Sequence, residues 1–299
     1  MTCSVAAATV LYEPDVTLLD ALLAATGRGE DRPLYLFVNG PLAVEAEARI
    51  ARLANAHVIR SATNVGLGSG LNAVMEAAAA DGVTHVFLLD QDSSPSPDLS
   101  KRLAERLVTL NSTARPVAAV GPLLTVPGGT TYLPMRSDWL DPRQNSVNAE
   151  VYFLPTSGTV LSVDAWRRIG AFRGDYFIGG IDVEWGFRAR HHGFRLFVAR
   201  DLSMPHRWGH EADEGARKPQ ILRQGRLRNY FYFRNAAHLL RQAYVPWPWR
   251  LRYAARLAAQ GLLLIAHSPA EGAGALWHGI VAGWSGQLGP APASFISRG

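Results

Sequence analysis

The 299-residue chain has one cysteine, Cys3, and only two lysines, Lys101 and Lys218. A lone cysteine cannot close an internal disulfide, so no cystine scaffold holds the fold and a reducing compartment is expected. Long hydrophobic runs are also missing. The best candidate, residues 257–266, is too short to cross a bilayer and carries Gln260. No basic segment precedes the apolar residues 5–10, so a secretory signal is not expected. Carboxylates are absent between residues 215 and 270, a stretch with ten Lys and Arg. What is present is apolar: 48% of residues are hydrophobic, enough for a substantial core and too many for a disordered chain.

The net charge of +5 is divided unevenly. Residues 201–299 carry twelve Lys+Arg and five Asp+Glu, net +7, whereas residues 1–200 carry eighteen and twenty, net −2. One basic surface facing an anionic partner is the expectation.

Along the first 200 residues, short β-rich runs alternate with helical ones. Strands are expected at 4–11, 34–38, 57–60, 84–89, 117–121, 159–163 and 195–199. Helices are expected at 15–25 (capped by Asp15), 43–54, 70–80, 98–110, 164–169 and 182–192. This alternation predicts βαβ units and a mostly parallel, buried sheet. Ligands of such sheets sit beyond the carboxyl ends of the strands. Residues 122–155, rich in Pro and Gly, read as a long loop that could cover a site. After about residue 215 the pattern is helical: 217–241, 249–266 and 273–284.

Four motifs could carry chemistry. Asp90-Gln91-Asp92 directly follows the 84–89 strand, where two carboxylates can hold a hard divalent cation or simply cap a turn. The run Asn64-Val65-Gly66-Leu67-Gly68-Ser69-Gly70 opens a helix, where glycines let a backbone approach phosphate or merely loosen the helix start. Its spacing is not that of a dinucleotide fingerprint. Gly179-Gly180-Ile181-Asp182-Val183-Glu184 places two carboxylates at a helix start, offering a general base; alternatively Asp182 caps and Glu184 pairs with Arg188. His206 and His210 could ligate a metal.

Taken together, these motifs resemble the inverting, GT-A-fold glycosyltransferases of family 2, most closely the rhamnosyltransferase branch. The likeness runs from Val5 to about Leu240. It includes the Asn64 to Asn72 run, Asp90-Gln91-Asp92-Ser93, Thr156-Ser157-Gly158-Thr159, Gly170-Ala171-Phe172-Arg173, Asp182 to Arg188, His206-x-x-Gly209 and Arg228 to Asn235.

The resemblance implies an α/β GT-A (Rossmann-like) fold, a mostly parallel sheet flanked by helices, with a C-terminal helical extension. Residues 1–214 would be the catalytic domain and 215–299 a basic helical region. Asp90, Asp92 and His206 would hold Mg²⁺ or Mn²⁺ on the donor diphosphate. Asp182 would be the catalytic base. Glu184, Trp185 and Arg188 would shape the acceptor side. Asn64, Gly66, Gly70, Ser157 and Gly158 would line the donor cleft with Asp90. Val38 stands where family members often place a base-reading Asp, leaving Asn39 beside it as the substitute.

The expected activity is metal-dependent inverting transfer of a sugar, L-rhamnose from a dTDP or UDP donor, onto a glycan or lipid-linked acceptor. Alternatives are another hexosyl or galactofuranosyl transfer, a nucleotide-dependent oxidoreductase, or a sugar-nucleotide-binding protein without turnover. The 217–241 helix, in which Arg223, Arg226, Arg228, Arg234 and Arg241 interleave with aromatics and leucines, is expected to meet an anionic membrane at the cytoplasmic face or else to pack with a solvated basic face. Pro246-Trp247-Pro248-Trp249 with Arg250 and Arg252 adds interfacial aromatics. Nucleic acid is not expected as a partner.

Overall fold

The computed structural model describes residues 4–26, 33–125, 131–132, 147–206 and 219–296. The first half forms β1 (Val5–Leu11), α1 (Val16–Thr26), β2 (Leu34–Asn39), α2 (Val44–Ile50), β3 (Ala56–Ser61), α3 (Leu67–Ala80), β4 (His85–Leu89), α4 (Leu99–Leu110) and β5 (Val117–Thr125). There follow β6 (Thr131–Tyr132), β7 (Asn148–Val151), β8 (Thr159–Ser162), α5 (Val163–Ile169), α6 (Ile181–His191) and β9 (Arg195–Pro205). The chain closes with α7 (Gln220–Arg223), α8 (Arg226–Leu240), α9 (Trp247–His267), α10 (Pro269–Ser285) and α11 (Ala293–Ile296).

One sheet runs in the order β3-β2-β1-β4-β8-β5-β9-β7, with β6 on β5. Strands β3, β2, β1 and β4 are mutually parallel, as are β5 and β9. Strand β8 enters antiparallel between β4 and β5, and β7 closes the far edge antiparallel to β9. Every residue of β2 is buried, as a sheet covered on both faces requires. One apolar layer packs Tyr35, Phe37, Leu71 and Met75 with Trp166 and Trp185; another packs Leu103 and Leu107 under Phe87 and Phe197.

Most expected elements form. Asp15 Oδ1 accepts from the Thr17 and Leu18 amides at 2.8 and 3.0 Å, capping α1. Helix α3 starts at Leu67, so the glycine run lies in its first turn. The expected 195–199 strand extends to Pro205 and delivers His206 to the end of β9. The expected helix 217–241 divides at Gln224-Gly225 into α7 and α8. Of the expected 122–155 loop, residues 126–130 and 133–146 lie outside the described residues, while 122–125 extend β5 and 148–151 form β7.

Candidate active site

The parallel strands end on one side of the sheet, and the polar residues that follow them meet there. After β1, the Tyr12 amide donates to Gln91 Oε1 at 2.9 Å and its carbonyl accepts from Gln91 Nε2 at 3.1 Å, tying the first turn to the Asp-Gln-Asp turn. After β2, Asn39 is buried; its Oδ1 accepts from the Val65 amide at 2.8 Å and its Nδ2 donates to Asn64 Oδ1 at 3.0 Å. Val38 packs in an apolar cluster with Leu36 and Ile50, an environment that would penalise a carboxylate.

The glycine run has an internal explanation. The amides of Val65, Gly66 and Leu67 are taken by Asn39 Oδ1, Asn64 Oδ1 and the Phe177 carbonyl at 2.8, 2.9 and 2.6 Å. Gly66 sits at φ +88°, and a Cβ there would meet the Phe177 backbone at 2.8 Å. A Cβ on Gly70 would meet Phe37 and Val10 at 2.8 Å. The structure therefore gives Gly66 and Gly70 a packing reason for being glycine. The start of α3 also leaves those three amides unavailable as a phosphate cradle.

After β4 comes the acidic turn. The Asp90 carbonyl accepts from the Ser93 amide at 3.0 Å and the Asp90 amide donates to Ser93 Oγ at 3.1 Å. Ser93 Oγ lies 2.9 Å from Ser157 Oγ, and the Gly158 amide donates to the Leu88 carbonyl at 2.8 Å. The Ser157-Gly158 turn is thereby clamped onto the end of β4. Burial pushes the Asp90 carboxyl up to about 7, the charges of Asp92 and Asp182 add to the rise, and a hydrogen bond with Ser157 opposes it. Asp182 is pushed up to about 6 by burial, against hydrogen bonds from the Val183 amide and its own. Both aspartates keep part of their surface open to solvent while protein surrounds most of each carboxyl. His206, buried at the end of β9, is lowered by burial while the Asp92 charge raises it. Asp90, Asp92, Asp182 and His206 thus share one electrostatic neighbourhood, although three of them come from different elements.

Two carboxylates and an imidazole offer hard oxygen donors plus one nitrogen, a set suited to Mg²⁺ or Mn²⁺. Among the described residues no three His, Cys, Asp or Glu side chains converge tightly enough to hold a metal alone.

Asp182 stands in the first turn of α6, after Gly180. Its neighbours face inward. Glu184 is buried; Arg188 donates to its two oxygens at 2.8 and 3.0 Å, and the Tyr244 hydroxyl donates to Oε1 at 2.6 Å. The i,i+4 pairing expected of Glu184 and Arg188 is present. Arg188 also donates to the carbonyls of Ile169 and Ala171 at 3.0 and 2.7 Å. Trp185 is buried, its indole donating to the Gly170 carbonyl at 3.0 Å. These three residues, expected to shape the acceptor side, are committed to internal partners that hold α6 in place.

The Arg234-Asn235 pair of α8 turns inward, a role that its place in a basic-aromatic run does not announce. Asn235 Nδ2 lies 2.9, 2.9 and 2.7 Å from the carbonyls of Tyr176, Ile178 and Gly179. Arg234 is fully buried and donates to the carbonyls of Asp175 and Tyr176 at 3.1 and 2.9 Å. Phe231 stacks on Phe177 at 5.1 Å, where Phe177 holds a left-handed φ of 62°. Helix α8 thus fixes the loop that leads into Asp182. Helix α9 contributes Tyr253, whose hydroxyl is raised far above its ordinary value by burial, with the Tyr232 and Asp182 charges adding to the rise.

Residues 42–162 match the family model of Glycosyl transferase family 2. The chain carries a family 2 glycosyltransferase domain. The dTDP-rhamnosyl transferase RfbF of Shigella flexneri is 23% identical to it over 255 residues, covering 82% of this chain and 83% of that one. Among solved structures, GalNAc-T7 with UDP, GalNAc and Mn²⁺ superposes with a TM-score of 0.55 at 13% identity, over 85% of this chain and 54% of that chain. TarS 1–349 of S. aureus in complex with UDP-GlcNAc superposes at 0.54 and 14% identity, over 86% and 72%. The transferase therefore has the GT-A fold expected of it, and it spans about half the length of the GalNAc-T7 chain.

Proposed function

We propose that this glycosyltransferase moves a sugar, L-rhamnose, from a nucleoside diphosphate onto a glycan or lipid-linked acceptor, with inversion and with help from Mg²⁺ or Mn²⁺. One observation supports the reading: Asp90 and Asp92 follow β4, Asp182 stands at the head of α6, and they lie close enough together for the charges of Asp92 and Asp182 both to raise the Asp90 pKa. Asp90, Asp92 and His206 would hold the cation beside the donor diphosphate, with Ser157 and Gly158 lining the same end of the cleft. The cation, when bound, stabilises the charge that develops on the departing diphosphate. Asp182 accepts the proton of the acceptor hydroxyl as that oxygen attacks the anomeric carbon. Asn39 and Asn64 border the nucleotide side. RfbF, as a dTDP-rhamnosyl transferase, supports the sugar. The occupied amides at the start of α3 favour this reading over a nucleotide-dependent oxidoreductase.

A donor panel tests it. dTDP-rhamnose with Mn²⁺ is expected to release nucleoside diphosphate at least tenfold faster than other sugar nucleotides, and chelation is expected to stop it. Release that ignores both the sugar and the cation would overturn the assignment.

A further inference from the structure

Helices α9 and α10 form an antiparallel hairpin whose inner side packs on α7 and α8 through Leu257, Leu264 and Leu276. Its outer side is apolar and uncovered among the described residues. On α9, Trp247 (65% exposed), Leu251 (54%) and Leu262 (70%) fall on one stripe, spaced by four and eleven residues. On α10, Trp277 (69%) and Trp284 (62%) lie two turns apart with Ile280 and Val281 between them. Both stripes lie away from the sides buried against α8. Exposed tryptophans in such number are unusual on a face that meets only water.

The chemistry of the rim identifies the partner. Helix α9 carries Arg250, Arg252 and Arg256 and no carboxylate, and α10 carries one acid, Glu271, in its first turn. Arg252 and Arg256 are exposed on α9, about a quarter and a third of a turn round the helix from Leu262. An apolar stripe with tryptophans, bordered by arginine and almost free of acid, is the pattern of a helix lying in an anionic bilayer interface. No helix here is long and apolar enough to cross a membrane.

We propose that the outer face of the α9–α10 hairpin docks flat on an anionic lipid surface. Of the two stretches expected from sequence to meet lipid, this keeps the one that begins at Pro246 and drops the 217–241 helix. The expected basic-aromatic helix holds Tyr230, Phe231, Phe233 and Arg234 buried within the protein, so α8 cannot present them to lipid. The proposal deepens the reading of a lipid-linked acceptor and rests on that reading for its purpose alone.

Sedimentation of the full chain with vesicles of phosphatidylcholine, with and without phosphatidylglycerol, tests it. The wild type is expected to sediment with the anionic vesicles and at least tenfold less with the neutral ones. Substituting Leu262→Ser, Trp277→Ser and Trp284→Ser together is expected to reduce anionic partitioning at least tenfold. Arg252→Gln with Arg256→Gln is expected to reduce it about 25-fold, at about fivefold per arginine. All variants are expected to keep wild-type circular dichroism, Tm and soluble nucleoside diphosphate release. Vesicle binding unchanged in the variants, or absent from the wild type, would overturn the proposal. So would light scattering that shows a wild-type dimer split by the serine substitutions, which would assign the face to a second copy. Vesicle binding without sugar transfer on any donor would leave the docking face standing and sink the transferase reading instead.

Discussion

At the scale of single residues, the cleft concentrates negative charge at a cost in stability. A carboxyl pushed up in the folded state binds its proton more tightly there than in the unfolded chain, so stability falls as pH rises from the ordinary carboxylate range to the raised value. For Asp90 that window runs from about 4 to about 7. Asp90→Asn is therefore expected to raise the Tm of the metal-free protein at pH 8 while abolishing transfer. After discounting for the part of Asp90 open to solvent, the gain is on the order of 1 kcal/mol, or about 2–4 °C, which calorimetry can read. A base must be ionised to act, so kcat/KM is expected to rise with pH through about 6, the value at which Asp182 loses its proton. A profile flat from pH 5 to 8 would deny Asp182 that role. Glu184 has the opposite character. Glu184→Gln would weaken a buried ion pair, lowering stability by roughly 3 kcal/mol while leaving transfer per folded molecule within a few-fold of wild type. A selective loss of acceptor affinity would instead restore Glu184 to the acceptor side.

At the scale of elements, the proposed chemistry depends on how two loops are held. The Asp90 turn is braced from β1 through Gln91 and from the Ser157 turn through Ser93. The loop into Asp182 is braced from α8 through Asn235. Asn235→Ala would release carbonyls of Tyr176, Ile178 and Gly179 and is expected to lower kcat ten- to a hundredfold with donor KM nearly unchanged. A rise in donor KM at unchanged kcat would place Asn235 in donor binding and not in base positioning. The acidic turn was legible in sequence because an apolar strand feeding two carboxylates has few structural explanations. So was the Glu184–Arg188 pair, which is local along one helix. The glycine run is ambiguous in sequence, since glycine permits approach by a ligand or by another part of the protein equally well. Here the Phe177 backbone and the side chains of Val10 and Phe37 are what approach. The Arg234-Asn235 clamp joins residues almost sixty positions apart in sequence, a separation that no local pattern encodes.

At the scale of the whole molecule, the uneven charge and the fold agree. The nearly neutral first 200 residues carry the carboxylate cleft, and the basic remainder supplies both the clamp on α6 and the tryptophan-lined outer face. The C-terminal helices therefore hold the loop that leads into Asp182 as well as presenting a surface of their own. The central claim is that Asp182 is the base in a cleft whose donor end is built by Asp90 and Asp92. Paired titrations of dTDP with Mn²⁺ and assays of rhamnosyl transfer, on wild type and Asp182→Asn, test it most directly. The account predicts dTDP affinity within about twofold of wild type and transfer reduced by roughly 10²–10⁴. Transfer within tenfold of wild type, or dTDP affinity lost with the substitution, would contradict it.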